Sequence, residues 1–82
     1  MSEYLNQFRK FKASNPTFIL FFLVGDFYEL FDADADTAAR TLGLTLTTKD
    51  GVQSAGVPAA SVENYLRRMI AAGHRCAICQ EK

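Results

Sequence analysis

The run Phe18–Val24 places seven apolar residues in succession, and it constrains the fold of this chain more than any other feature. Because the run does not alternate between apolar and polar residues, it predicts a strand that is buried on both faces. It is too short to cross a membrane as a helix, which needs about 20 apolar residues. The chain has 82 residues, enough for one domain with a thin core around such a strand.

Helical periodicity predicts a first helix upstream of this strand. Tyr4, Phe8 and Phe11 follow the spacing i, i+4 and i+7 of an amphipathic helix. Ser2 can cap its N-terminus, and Pro16 ends it because the residue before a proline avoids the helical conformation.

Glycines and acidic residues mark the elements that follow the apolar run. Gly25 and Asp26 form a two-residue break, which predicts a tight hairpin turn into a second strand, Phe27–Phe31. The next segment begins with three aspartates, which suit the N-terminus of a helix, and Gly43 is predicted to end that helix. The aspartates are Asp32, Asp34 and Asp36.

The C-terminal half predicts further strands and a third helix. Leu44–Thr47 alternates with period two, and Val52–Gly56 is predicted to be a short edge strand. The third helix lies between a cap at Ser61 and a stop at Gly73, and the last strand is Arg75–Gln80. The apolar stripe of the third helix is Val62, Tyr65, Leu66, Met69 and Ile70. A turn is predicted at Lys49, Asp50 and Gly51.

The predicted element order is α-β-β-α-β-(β)-α-β. It describes one α+β domain over residues 1–82, with a mixed β-sheet flanked by about three helices. The composition, with 49% hydrophobic residues, is that of a globular domain.

The charge balance excludes a simple polycation that binds nucleic acid by charge alone. Nine basic and nine acidic residues give a formal net charge of zero. Five of the acids lie between residues 26 and 40, so they must mostly point away from the phosphates if the domain binds DNA. They are Asp26, Glu29, Asp32, Asp34 and Asp36.

Motifs for nucleotide, metal and nucleophilic chemistry are absent from the sequence. It has no G-x-x-x-x-G-K-[ST] loop, so ATP binding of that type is excluded. The three aspartates are spaced as in a calcium loop, but Thr37 and Gly43 stand where that loop requires glycine and glutamate. His74 is predicted to be a surface residue, and Cys76 and Cys79 to be buried apolar residues in a reduced, cytoplasmic compartment. The sequence therefore predicts no enzyme activity, no cofactor, no metal and no membrane association.

The strand Phe27–Phe31 carries an unusual pair of side chains. Alternation places Tyr28 and Leu30 on the core side, and Phe27 and Glu29 together on the opposite face, about 6.6 Å apart along the strand. In one interpretation Phe27 packs under the first helix and Glu29 is a solvating edge charge. In the other, the ring inserts between base pairs and the carboxylate reads an exposed base edge, at lowest cost where pairing is already defective.

The segment Gly25–Phe31, with the sequence GDFYELF, resembles the signature of the N-terminal mismatch-recognition domain of MutS proteins, a DNA mismatch repair family. Other blocks resemble the family in the same order along the chain. They are Tyr4-Leu5, Lys12 with Pro16, Leu20–Phe22, Leu42–Thr47, Ala55–Pro58, Val62–Leu66 and Ala77–Cys79.

The resemblance implies a role for each residue of the motif. Phe27 would stack on a mispaired base and Glu29 would hydrogen-bond that base, which makes mismatched double-stranded DNA the implied partner. Gly25 and Asp26 would shape the turn that presents the pair, and Tyr28 would support the strand without contacting DNA.

The chain also departs from the family pattern. Ala59 and Ala60 stand where the family commonly has an aromatic residue and a histidine, and the sequence stops at Lys82, before the family's last segment. Because an isolated wedge lacks the phosphate contacts that offset DNA distortion, we expect weak binding by this domain alone, in about the micromolar range or weaker.

Two other functions stay open at the sequence level. The neutral charge balance and the early C-terminus favour a standalone interaction or regulatory module that docks onto full-length repair proteins and binds DNA little. Asp26 and Glu29 could also form the carboxylate pair of an enzyme.

Overall fold

Residues 3–49 and 51–80 are described by a computed structural model, and their element order is the predicted one. The described elements are α1 (Glu3–Ser14), β1 (Phe18–Val24), β2 (Phe27–Phe31), α2 (Asp32–Leu42), β3 (Thr47–Lys49), β4 (Val52–Pro58), a 3-10 turn (Ala59–Ser61), α3 (Val62–Ala71) and β5 (Arg75–Cys79). The α+β class is confirmed. The predicted cap at Ser2 and the Asp50 position of the predicted turn lie outside the described residues.

The strands form one mixed sheet with the order β3-β4-β2-β1-β5 in the described part of the chain. β1 pairs with β5 in parallel, whereas the other three pairings are antiparallel. The prediction that residues 52–56 form an edge strand is wrong, because β4 pairs with β2 on one side and with β3 on the other.

The apolar run forms a strand that is buried on both faces, as predicted. Ile19 and Phe21 of β1 point into a cluster with α2 and α3, whereas Leu20 and Phe22 point into a second cluster with α1. The sheet therefore has α2 and α3 on one face and α1 on the other.

Helix α2 lies close to the sheet because its inward side chains are small. Ala35 and Ala38 are fully buried, and Leu42 completes the inward stripe. The helix ends where Gly43 takes a left-handed conformation with φ 73° and its N–H donates to the carbonyl of Ala39. The predicted helix and its stop are confirmed.

The aspartates at the start of α2 take part in ion pairs. Asp34 is buried, and its carboxylate accepts hydrogen bonds from Lys12 Nζ at 2.8 Å and from the backbone N–H of Leu20 at 3.1 Å. Asp32 lies 3.6 Å from Arg9, and Asp36 lies 2.8 Å from Arg40. The buried Asp34 thus joins α1, α2 and β1.

The third strand lies further along the chain than the sequence predicts. The third strand is Thr47–Lys49 instead of Leu44–Thr47, because the half-buried Leu44 and Leu46 pack against the α2–α3 core before pairing begins. Alternating leucines can satisfy one buried face without forming a strand ladder.

Helix α3 buries a narrower stripe than the spacing predicts. Met69 is fully buried, but Ile70 at the flank of the stripe is 60% exposed. Ser61 stands at the predicted cap position, yet its side chain makes no capping hydrogen bond because residues 59–61 form a 3-10 turn. Gly73 ends the helical segment with φ 95°, as predicted.

Cys76, Cys79 and His74 are each partly buried. The thiols are thus less deeply buried than predicted, whereas His74 lies at the surface, as predicted, with part of its side chain covered. Cys76 contacts the α2–α3 core and Cys79 the α1 core, because residues three apart on a strand point to opposite faces. Burial raises the pKa of both thiols, and at Cys76 the charge of Asp34 adds to this effect. His74 borders a shallow depression beside α2.

No helix among the described residues is long and apolar enough to span a bilayer. In the same part of the chain, no three His, Cys, Asp or Glu side chains are grouped so that they could hold a metal ion.

Candidate nucleic-acid interface

The hairpin of β1 and β2 presents the candidate site at one end of the sheet. Val24 pairs with Phe27 across the two-residue turn, and Gly25 occupies the left-handed region with φ 64°. Glycine at this position is typical of a two-residue hairpin. The carbonyl of Asp26 accepts a hydrogen bond of 2.8 Å from the backbone N–H of Ala59, which ties the turn to the segment after β4.

Phe27 projects from this hairpin into solvent. Its ring is 47% exposed, although it lies on the α1 face of the sheet. Helix α1 covers Phe22 and Phe31 on that face and leaves the hairpin end open. The interpretation in which Phe27 packs under the first helix is therefore wrong.

The opposite face of β2 anchors the hairpin in the core. Tyr28 and Leu30 are buried against the α2–α3 cluster, as the alternation predicts. The hydroxyl of Tyr28 accepts a hydrogen bond of 2.9 Å from Gln80 Nε2. Tyr28 thus fixes β2 in the core on the face opposite Phe27.

Glu29 lies beside Phe27 on the open face and is half-buried. Its cross-strand partners are Phe22 on β1 and Gly56 on β4. Burial raises the pKa of its carboxyl, and no described residue offsets this effect with a charge or a hydrogen bond. A larger share of Glu29 is therefore protonated near neutral pH than for an exposed glutamate.

The site is separated from the acidic end of α2. Asp32 follows β2 directly, about 16 Å along the strand from Phe27 at the usual rise per residue. The ion pairs with Arg9, Lys12 and Arg40 further reduce the negative charge of that region. Asp26 and Glu29 are then the two acidic residues on the hairpin itself.

The structure adds Gly56 and Pro58 to the residues predicted for the site. The pairing of β2 with β4 places Gly56 opposite Glu29 and the exposed Pro58 opposite Phe27. Local periodicity cannot reveal such neighbours because it does not give the register between distant strands. In the sequence, the block Ala55–Pro58 resembles the MutS family, but this resemblance does not say that its residues lie opposite Phe27 and Glu29.

The described part of the chain is thus a small α+β module. The central hairpin of its mixed sheet presents an exposed aromatic ring beside a half-buried carboxylate. The family model for MutS domain I matches residues 2–82. The chain belongs to the MutS domain I family.

Proteins named DNA mismatch repair protein MutS are similar to this chain. The MutS of Nitrobacter winogradskyi is 48% identical over 82 residues, which cover 94% of this chain and 9% of that protein. The MutS of Rhodopseudomonas palustris strain BisB18 is 44% identical over 86 residues, which cover 99% of this chain and 10% of that protein. The MutS of Rhizobium meliloti is 43% identical over 82 residues, which cover 94% of this chain and 9% of that protein. The chain thus spans about a tenth of the length of these relatives.

Proposed function

We propose that this chain is a non-catalytic DNA-binding module that recognises mispaired or distorted double-stranded DNA in mismatch repair. The observation that carries the proposal is the exposed ring of Phe27, held beside Glu29 at the open end of the sheet. Membership of the MutS domain I family and relatives named as mismatch repair proteins support the same function. A cytoplasmic location, where repair of the chromosome takes place in bacteria, is part of the proposal.

Phe27 acts as the wedge in this proposal. An aromatic ring that enters between base pairs unstacks them and kinks the duplex, at a cost of a few kcal/mol per step. A mispaired base has already lost part of its pairing energy, so the same insertion costs less there. The ring recovers stacking energy on that base, about 1–3 kcal/mol for an aromatic side chain.

Glu29 supplies the polar contact in this proposal. An ionised carboxylate accepts a hydrogen bond from a base N–H, and a protonated carboxyl donates one to a base nitrogen or oxygen. The raised pKa of Glu29 favours the protonated form and also weakens repulsion by the phosphates. A Watson–Crick pair offers fewer free groups of this kind than a mispair does.

The hairpin holds the two side chains in a fixed relation. Gly25 permits the tight turn, and the hydrogen bond from Ala59 to the Asp26 carbonyl fixes that turn against the segment after β4. Tyr28 and Leu30 keep β2 in the core. The wedge therefore enters DNA without first losing much conformational freedom, which favours binding.

The module binds DNA weakly by itself in this proposal. Its net charge is zero, so it gains little from displacing counterions from the phosphates. A dissociation constant in about the micromolar range or weaker is expected for a mismatched duplex.

The proposal is tested with the Phe27→Ala variant and a duplex that carries one mispair. We expect the wild-type chain to bind this duplex more tightly than its matched counterpart, as measured by NMR titration. Phe27→Ala removes the stacking contact and is expected to lower the affinity for the mispair by about tenfold or more. Ile70→Ala, which truncates another exposed apolar side chain on α3, serves as the matched control and leaves binding unchanged.

Equal affinity of the wild type and Phe27→Ala for the mispair would contradict the proposal. The balanced charge favours a second candidate, a module that docks onto full-length repair proteins and binds DNA little. Capture of purified full-length MutS after nuclease treatment, together with no preference for mispaired DNA, would support that candidate instead.

A further inference from the structure

The contact between Glu29 and Gly56 depends on the absence of a side chain on β4. A Cβ atom built on Gly56 would lie 3.1 Å from Oε2 of Glu29, 3.3 Å from its Cδ and 3.5 Å from Oε1. The carboxylate therefore occupies the space that a side chain at position 56 would fill.

Gly56 is not required for its backbone freedom. The described glycines with positive φ are Gly25, Gly43, Gly51 and Gly73, and Gly56 is not among them. It lies in the interior of β4 and is paired with β2, where glycine weakens a strand because it has no side chain to pack. The Glu29 carboxylate, which lies close to where a Cβ of residue 56 would be, explains why this position suits glycine.

We propose that Gly56 is a positioning residue for Glu29: its bare backbone lets the carboxylate lie low against the sheet, beside the protruding ring of Phe27. This inference rests on the proposed function, because it concerns how a base stacked on the ring meets the carboxylate. A Cβ at position 56 would force the carboxylate to shift away from β4 by a few tenths of an ångström. The hydrogen bond to the base would then be misplaced.

The burial of Glu29 supports this role. Glu29 is half-buried although it lies near the open hairpin end of the sheet, and close packing on Gly56 removes part of the hydration of its carboxylate. Displacing the carboxylate would restore hydration and bring the pKa of Glu29 back toward its ordinary value.

Gly56→Ala tests the inference in the wild-type chain and in a Glu29→Ala background. In the wild-type background we expect the preference for mispaired over matched DNA to fall by about two- to tenfold, the range that one ordinary hydrogen bond contributes. In the Glu29→Ala background no carboxylate remains to be positioned, so Gly56→Ala should cause no further change. Gln53→Ala, at an exposed position on the same strand, is the matched control.

An equal loss in both backgrounds would show that Gly56 acts through the strand and not through Glu29, and would overturn the inference. If Gly56→Ala does not fold, Glu29→Asp, which draws the carboxylate back from Gly56 without altering β4, provides a second variant, and the same fall in preference is expected.

A measurement on the free protein separates this inference from the proposed function. Carbon-detected titration of the Glu29 carboxyl should give a midpoint that falls toward the ordinary value in Gly56→Ala and stays unchanged in Gln53→Ala. If the wild-type chain shows no preference for mispairs, the proposed function fails, yet this titration still decides whether Gly56 holds the carboxylate. An unchanged midpoint in Gly56→Ala would contradict the inference whatever the DNA result.

Discussion

Phe27 leaves about half of its surface in water, at 47% exposure, while the next residue on β2 is buried. A half-exposed aromatic ring adds less to the free energy of folding than a buried one, because about half of its apolar surface stays in water. Stacking on a base would bury that surface at no further cost to the protein core. The ring is thus free to contribute to binding rather than to stability.

The direction of the β2 side chains was predictable from the sequence, but their exposure was not. The period-two alternation placed Phe27 and Glu29 on one face and Tyr28 on the other, because side-chain direction on a strand is a local property. Alternation does not give exposure, which depends on how far α1 extends across the sheet. The low position of the Glu29 carboxylate depends on Gly56, a residue brought near by strand register alone.

Glu29 gives a pH dependence whose sign follows from its raised pKa. The folded state favours the protonated carboxyl, so this contribution to stability is fully present below the unfolded pKa, 4.5, and is lost as the pH rises through the higher folded pKa. Glu29→Gln mimics the protonated form, so we expect the stability of the wild type relative to Glu29→Gln to decline over that interval. Thermal unfolding of both proteins at a series of pH values measures the difference.

A constant difference between the two proteins across the interval would contradict the assignment of a raised pKa to Glu29. Gln53→Ala, which changes an exposed residue of β4 without altering an ionisable group, provides the control.

At the level of secondary-structure elements, Asp34 connects three parts of the fold. Its buried carboxylate accepts hydrogen bonds from Lys12 on α1 and from the backbone of Leu20 on β1, while Asp34 itself lies in the first turn of α2. Lys12 also donates to the carbonyl of Phe18. The sequence predicted acids at this helix start, but it did not predict that one of them would be buried.

Asp34→Ala should be strongly destabilising because it leaves the Lys12 charge and the Leu20 N–H without their acceptor. We expect the free energy of unfolding to fall by about 3 kcal/mol, as for a broken buried ion pair. Asp36→Ala removes an exposed pair with Arg40 on the same helix and should cost less than about 0.5 kcal/mol. Urea denaturation of both variants gives the comparison, and equal effects would contradict the structural role of Asp34.

Helix and strand positions were largely predictable because periodicity and stop signals act within a few residues. The exceptions share a non-local cause. Residues 44–46 alternate like a strand but pack on the core formed by α2 and α3, and β4 becomes internal because it gains β3 as a partner. Neither partner can be inferred from a short window of sequence.

For the whole molecule, the helices cover the two faces of the sheet to different extents. Helices α2 and α3 cover one face, whereas α1 covers the other face incompletely and leaves the hairpin end open. The acids of α2 lie at the far end of β2 from Phe27, and they form ion pairs there. Under the proposed function, this arrangement predicts that shape and stacking decide DNA binding more than the net charge of zero does.

The most direct test of the central claim is the NMR signal of the Phe27 ring protons during titration with DNA. If the ring stacks on a mispaired base, its protons will shift upfield with the mispaired duplex and much less with the matched duplex, while the ring protons of Phe11, another exposed aromatic residue, stay in place. Ring protons of Phe27 that do not move on binding, or that move equally with both duplexes, would contradict the claim that this side chain recognises mispairs.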